Sequence, residues 1–277
     1  MIISIASGKG GTGKTLVATN MAASLGEAEL VDCDVEEPNS YLFFPDRDLV
    51  ESADCRLPIP IIDDDKCTRC RICSEFCAYN ALAVFPQEVL FFKELCHGCG
   101  GCAIACPEDA ITEGSRAIGK IYRAQVGDLG LFWGELNLGE AMATPLIREA
   151  KKQASGDLIL IDSPPGTACP MIESVRGSDF CVLVTEPTPF GLYDMDIAVN
   201  VLADMEIPCG VIVNRSGIGD REIYKYCERR DIPLLLEIPF SRKIAELYSW
   251  GLLFSREIPE WKDRFVSLAD RIEELIG

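Results

Sequence analysis

The chain of 277 residues predicts an α/β fold, a mainly parallel doubly wound sheet carrying a small inserted α+β domain. Three observations predict it. An apolar run (Ile2, Ile3, Ile5) enters a glycine-rich turn and then an Ala- and Leu-rich stretch, the strand–loop–helix order of such sheets. Further apolar strands end in acidic or amide side chains, as at Val31-Asp32, Ile161-Asp162 and Val213-Asn214. Between them the pattern breaks, and eight of the fourteen cysteines fall within forty residues. The expected division is therefore one α/β domain from residues 1–56 and 114–277, interrupted by a cysteine-rich unit at 57–113.

Gly8 to Thr15 reads G-K-G-G-T-G-K-T and fits the phosphate-loop pattern G-x-x-x-x-G-K-[ST] at every fixed position. Gly8, Gly10, Gly11 and Gly13 let the backbone curl around Thr12. Several amides then point inward at phosphate oxygens, and the following helix adds its positive N-terminal end. Lys14 would reach the terminal phosphates of ATP or ADP, and the Thr15 hydroxyl would ligate Mg²⁺. A plain Gly-rich turn is the alternative, disfavoured by the strand directly before it. Residues 14–25 read as the helix, with Gly26 as its stop.

A formal charge of −18 speaks against nucleic acid as partner, since neutralising phosphates needs a basic surface. No run of eighteen apolar residues exists, so a membrane partner is not expected. The first strand starts almost at once, with no basic-then-apolar leader, and the cysteines follow ligand spacing, so a reducing cytoplasm is expected.

Residues 29–31 form a short strand leading into Asp32-Cys33-Asp34, an acidic cluster at the strand end where such sheets bind ligands. Residues 45–65, with Pro45, Pro58, Pro60 and Asp63-Asp64-Asp65, read as a linker. Next, Cys67, Cys70, Cys73 and Cys77 follow C-x₂-C-x₂-C-x₃-C. Cys96, Cys99, Cys102 and Cys106 repeat the pattern at a constant offset of 29 residues. This is the run of bacterial two-cluster ferredoxins, in which the fourth cysteine serves the other cluster. One 4Fe–4S cluster would take Cys67, Cys70, Cys73 and Cys106; the other would take Cys96, Cys99, Cys102 and Cys77. Zinc is the alternative, but it leaves the x₃ step and the duplication unexplained. His97, the lone histidine, is expected at the surface or as a local hydrogen-bond donor.

From about Gly114 the α/β pattern resumes, weakly over 118–126 and ambiguously between loop and strand over 129–138. A helix is expected at 145–153. Residues 157–162 form a buried strand ending in Asp162, the arrangement that holds Mg²⁺ and its waters, followed by Ser163-Pro-Pro-Gly166. Strands at 180–184, 208–213 and 234–238 alternate with helices at 191–204, 219–230, 242–248 and 259–275. Cys33, Cys55, Cys181, Cys209 and Cys227 lack ligand spacing and read as packing residues.

With these motifs in hand, the chain resembles the MinD/ParA/Mrp superfamily of P-loop ATPases, which includes the nitrogenase iron protein. The insert resembles a two-cluster ferredoxin. Lys9, a second lysine in the loop, matches the lysine that in this family crosses a dimer interface to the partner's nucleotide. A solvated lysine is the bland alternative. The resemblance makes Asp34 the first-switch aspartate that orients the attacking water and senses Mg²⁺; a capping Asp before a turn is the alternative. Gly166 becomes the second-switch amide that senses the terminal phosphate, and Asn214 the reader of the adenine edge, with a strand-end turn residue as the alternative for Asn214. Cys169 stands at the offset of the cysteine that holds a bridging cluster in the nitrogenase iron protein; packing is its alternative. The partners implied are a second copy or a related ATPase, closing on ATP, and a redox or iron–sulfur protein. Three uses stay open: ATP-coupled electron transfer, cluster assembly or delivery, and a positioning ATPase with redox-sensing clusters.

Overall fold

The computed structural model describes residues 1–277. In chain order the strands are β1 (Ile2–Ala6), β2 (Glu29–Asp32), β3 (Asp48–Ile62), β4 (Leu82–Val84), β5 (Val89–Phe91), β6 (Ile111–Val126), β7 (Leu129–Leu136), β8 (Ile159–Asp162), β9 (Phe180–Thr185), β10 (Cys209–Ser216) and β11 (Leu234–Pro239). The helices are α1 (Lys14–Leu25), α2 (Ile72–Phe76), α3 (Gly101–Ile104), α4 (Ala143–Lys152), α5 (Cys169–Val175), α6 (Pro189–Asp204), α7 (Glu222–Arg230), α8 (Arg242–Ser249), α9 (Phe254–Glu257) and α10 (Glu260–Ile276). No helix is long and apolar enough to cross a membrane.

Nine strands form one sheet in the order β11-β10-β9-β1-β8-β2-β7-β6-β3, and β4 and β5 pair separately. From β11 to β7 every pairing is parallel. These strands are continuous apolar runs because helices cover both faces; all six residues of β9 are buried. Alternate residues divide between two cores. Phe180, Val182 and Val184 join Met21, Phe254 and Phe265 beneath α1, α9 and α10. Cys181 and Leu183 instead meet Met171, Met195 and Leu202 beneath α5 and α6. A third core under α4 holds Leu146, Ile147, Ile118 and Cys33.

The expected linker at 45–65 is mostly a strand. β3 pairs antiparallel with β6 from Asp48↔Gln125 to Ile62↔Ile111. Proline and acidic content misled because β3 is the sheet edge. An edge strand can turn a missing N–H outward, and Pro58 and Pro60, two residues apart, do so on the same side. The ambiguous 129–138 segment is β7, whose register against β6 runs from Val126↔Leu129 to Gly119↔Leu136.

Since β6 opposes both neighbours, β3 runs parallel to β2. The far end of the β3–β6 ladder therefore leaves the sheet on the same edge as the ends of β1, β2 and β8. The ladder continues from Gly119 to Ile111 beyond the last pair with β7. That overhang is about 26 Å, and β3 lies five strand spacings, about 24 Å, from β1. At its tip residues 63–110 fold around a minimal apolar core of Cys73, Leu82 and Ile111, with Ile62, Val84, Val89 and Phe91 against them.

Candidate nucleotide and cluster sites

β1 ends at the middle of the sheet, and the loop after it feeds α1. Gly13 takes φ +100°, and a Cβ there would strike the Asn214 amide; a Cβ on Gly8 would strike the backbone of Asp194. Glycine is thus required at both ends of the loop. Asn214, at the end of β10, donates from Nδ2 to the Thr12 carbonyl at 2.8 Å and accepts from its neighbour's N–H. In this state its amide braces the loop.

Lys14 is buried at the start of α1 with Asp162, Asp34 and Asp32 around it, and burial lowers its pKa. Asp162, 1% exposed, accepts from the Ser40 hydroxyl at 2.9 Å through Oδ2. Burial, then the Asp32 charge, pushes the Asp162 carboxyl up to about 7. The same two causes raise Asp34 to about 6. The Asp162 Oδ1, Thr12 Oγ1 and Ser163 Oγ atoms are buried without a partner. Two unpaired hydroxyls and a carboxylate oxygen at the loop suit a hydrated Mg²⁺ and its phosphates, which would satisfy them.

Sequence reasoning placed Asp32 in an acidic cluster without a role of its own, and it missed two further residues. Asp32 is buried and accepts from the amides of Asp34 (3.0 Å), Asn39 (2.9 Å) and Ser40 (2.9 Å), so it shapes the turn that carries Asp34. Glu186 and Arg215 are the two missed. Lys9 Nζ reaches Glu186 Oε1 at 2.5 Å, and Arg215 Nη1 holds Glu186 Oε2 at 2.8 Å. In the single chain Lys9 is therefore paired within its own protomer. The Glu-Pro pair directly after β9 was the available signal. The Gly166 amide donates to the Ser7 carbonyl at 3.2 Å, and Cys169 opens α5 as an exposed residue.

At the ladder tip the two predicted cysteine sets assemble separately. Cys77, Cys96, Cys99 and Cys102 line one cavity of about 210 Å³. Cys67, Cys70, Cys73 and Cys106 line a tighter one of about 20 Å³. The thiols surround a space rather than a point: no three His, Cys, Asp or Glu side chains are placed to hold a single ion. Backbone amides already aim at sulfur, Ala81 to Cys77 (3.4 Å), Gly98 to Cys96 (3.5 Å) and Ala110 to Cys106 (3.3 Å). Such donors favour thiolates. His97 is exposed and stacks on Tyr79, with ring centroids 3.5 Å apart. The remaining cysteines pack as expected, Cys33, Cys55, Cys181 and Cys227 buried and Cys209 partly so.

Residues 3–254 match the model of the CobQ/CobB/MinD/ParA nucleotide binding domain. The chain belongs to that family. Within the MinD/ParA family it is 34% identical, over its whole length and 98% of the relative, to the uncharacterized protein MJ0578 of Methanocaldococcus jannaschii. It is 25% identical to the iron-sulfur cluster carrier protein of Pyrococcus furiosus, covering 90% of this chain and 77% of that one. A 57-residue stretch is 40% identical to a segment forming 8% of the indolepyruvate oxidoreductase subunit IorA of Pyrococcus abyssi. The septum site-determining protein MinD of Pyrococcus horikoshii, solved with Mg-ADP, superposes with TM-score 0.60 at 22% identity, covering 100% of this chain and 97% of that one. The fold is thus that of a MinD-like P-loop ATPase with a large, mainly parallel sheet.

Proposed function

We propose that this protein hydrolyses ATP in a nucleotide-closed dimer and uses the cycle to move electrons through two resident 4Fe–4S clusters. The observation that carries the reading is the pairing of two complete four-cysteine sets, each around its own cavity, with a phosphate loop on the same sheet edge. Units 1–56 and 114–277 supply the ATPase, and 57–113 the ferredoxin-like module. Bound clusters would supply one-electron chemistry, held by the two cysteine sets and shaped by the amides aimed at Cys77, Cys96 and Cys106.

Catalysis at the nucleotide is positioning plus electrostatics. Loop amides from Gly8 to Gly13 cradle the phosphates while Lys14 neutralises their growing charge. Thr15, with Asp162 behind it, would hold Mg²⁺, which would supply charge neutralisation at the phosphates, and Asp34 would orient the attacking water. Lys9 leaves Glu186 on dimer closure and reaches the partner's nucleotide. Asn214 exchanges the Thr12 carbonyl for the adenine edge.

Distance decides how the two sites communicate. A gap of some tens of ångströms far exceeds the Debye length of about 8 Å. The link is mechanical, then, with two routes available. One runs from Asp34 through 35–47 straight into β3. The other runs from Gly166 through α5 to α4, and on to Glu140, whose carboxylate forks onto Arg116 of β6.

A second reading, delivery of clusters to other proteins, draws on the likeness to the iron-sulfur cluster carrier proteins. The two are separated by incubating the anaerobically loaded chain with an apo-ferredoxin, with and without MgATP. Retention of both clusters through repeated turnover supports resident redox centres. ATP-dependent loss of iron to the acceptor would replace this reading with delivery.

A further inference from the structure

The duplicated cysteine runs are not equivalent in charge. Shifted by 29 residues, Gly98 and Gly100 of the second run correspond to Arg69 and Arg71 of the first. All four take left-handed backbone: φ is +57° at Arg69, +71° at Arg71, +66° at Gly98 and +71° at Gly100. The equivalence extends to Asn80 (φ +53°) and Asp109 (φ +48°), so the two loops share one path. That path suits glycine, and an arginine on it carries a steric penalty. The first run bears the penalty twice, and both guanidinium-bearing residues line the cavity of Cys67, Cys70, Cys73 and Cys106.

Arg69 is the better placed. Its Nη2 donates to the Gln87 carbonyl at 3.0 Å, fixing the side chain, while its Nε is buried without a partner. Around the other cavity the corresponding wall is glycine, with the stacked Tyr79 and His97 rings. Other charges do not cancel the difference. Glu108 lines the first cavity and Glu113 the second, one acid each. Lys66 is paired with Asp63. Arg116, which lies near enough to Cys96 to feel its charge, is held in a two-point pair by Glu140.

Nearby positive charge favours the reduced, more negative cluster, and so do hydrogen bonds to sulfur. The second set holds two such bonds, from Ala81 and Gly98, against one from Ala110 in the first. The two full cationic charges of the first run outweigh that single extra amide dipole. We propose that Arg69 and Arg71 raise the reduction potential of the first cluster above that of the second, making the first the resting place of an incoming electron. This rests on the reading that both cysteine sets hold clusters. The step is the passage of one electron, supplied by an external one-electron reductant. The second cluster is oxidised as the first is reduced, and no bond or proton changes hands.

The test is an anaerobic dithionite titration of the full cluster-loaded chain without nucleotide, followed by EPR. The wild type is compared with Arg69→Gly/Arg71→Gly, which copies the other repeat, and with Arg69→Lys/Arg71→Lys. The wild type should show two separated midpoints. The glycine variant should lower the upper midpoint by at least a tenfold shift in electron partition, about 59 mV, and leave the lower one in place. The lysine variant should keep most of the separation. Since glycine suits the backbone, the glycine variant should melt no lower than wild type, which separates a charge effect from damage to the fold. Coincident wild-type midpoints, an unmoved upper midpoint or a moved lower one would overturn the proposal while leaving two bound clusters intact. A chain that cannot be loaded with about eight irons takes the underlying reading down with it.

Discussion

At the scale of single residues, the nucleotide site is a cluster of buried charge waiting for a cation. Asp32, Asp34 and Asp162 lie together around one lysine; burial and then mutual repulsion penalise their charged forms, Lys14 offsets this in part, and protonation or Mg²⁺ would relieve the rest. Asp162 titrates near 7 in the folded chain, well above an ordinary carboxylate. Between pH 4 and 7 the folded state therefore binds the extra proton. Its contribution to stability is full at the acid end and is lost as pH rises through 7. In denaturant melts of the nucleotide-free wild type, Asp162 should contribute a downward slope of at most about 1.4 kcal/mol per pH unit, added to that of Asp34, whose carboxyl is raised to about 6. Asp162→Asn should flatten it, and an unchanged slope would count against a buried titrating pair. Mg²⁺ displaces the same proton, so Mg²⁺ affinity should rise from pH 6 to 8. Lys9 makes a second residue-scale prediction. Lys9→Ala should lose ATP turnover in single-turnover assays while nucleotide affinity stays within a few fold; normal turnover would show that Lys9 serves only Glu186.

The elements show which parts of the sequence spoke plainly. The strand–loop–helix course of residues 2–25, the stop at Gly26 and the grouping of the cysteines into two sets were legible because their spacing reflects fixed local geometry. The β3–β6 ladder was not. Pro58 and Pro60 signal a break by local rules, and only the sheet edge, a tertiary fact, makes them acceptable. Glu186 and Arg215 escaped for a similar reason, since Lys9, Glu186 and Arg215 meet only in the folded chain. Lys151 is another such case. Its ammonium group caps the carboxyl end of α5 by donating to the carbonyls of Glu173 (2.9 Å), Ser174 (2.7 Å) and Arg176 (2.7 Å), while Arg148 pairs with Glu173 at 3.0 Å. α4 is thus bolted to the helix that follows the Ser163–Gly166 turn. Lys151→Met should cost about 1–3 kcal/mol of stability in chemical denaturation. It should also weaken any nucleotide-dependent change in the clusters while sparing ATP binding. Full retention of that change would leave the route through Asp34 and β3 as the working one.

For the molecule as a whole, a family ATPase sheet carries on its edge a long two-stranded arm, tipped by a module with almost no apolar core. On the proposed reading, bound iron–sulfur clusters would supply the core that so small a unit lacks, as in other metal-organised modules. The arm leaves on the ligand-binding side, so in the proposed dimer closure over nucleotide would bring the tips toward the partner chain. Exposure and nearby charge set cluster potential. The measurement that bears most directly on this coupling is the pair of reduction potentials, read by EPR under anaerobic conditions in the apo, MgADP and non-hydrolysable MgATP-analogue states. The account predicts that at least one potential falls or rises with the triphosphate and returns with the diphosphate. Potentials and spectra identical in all three states would contradict it.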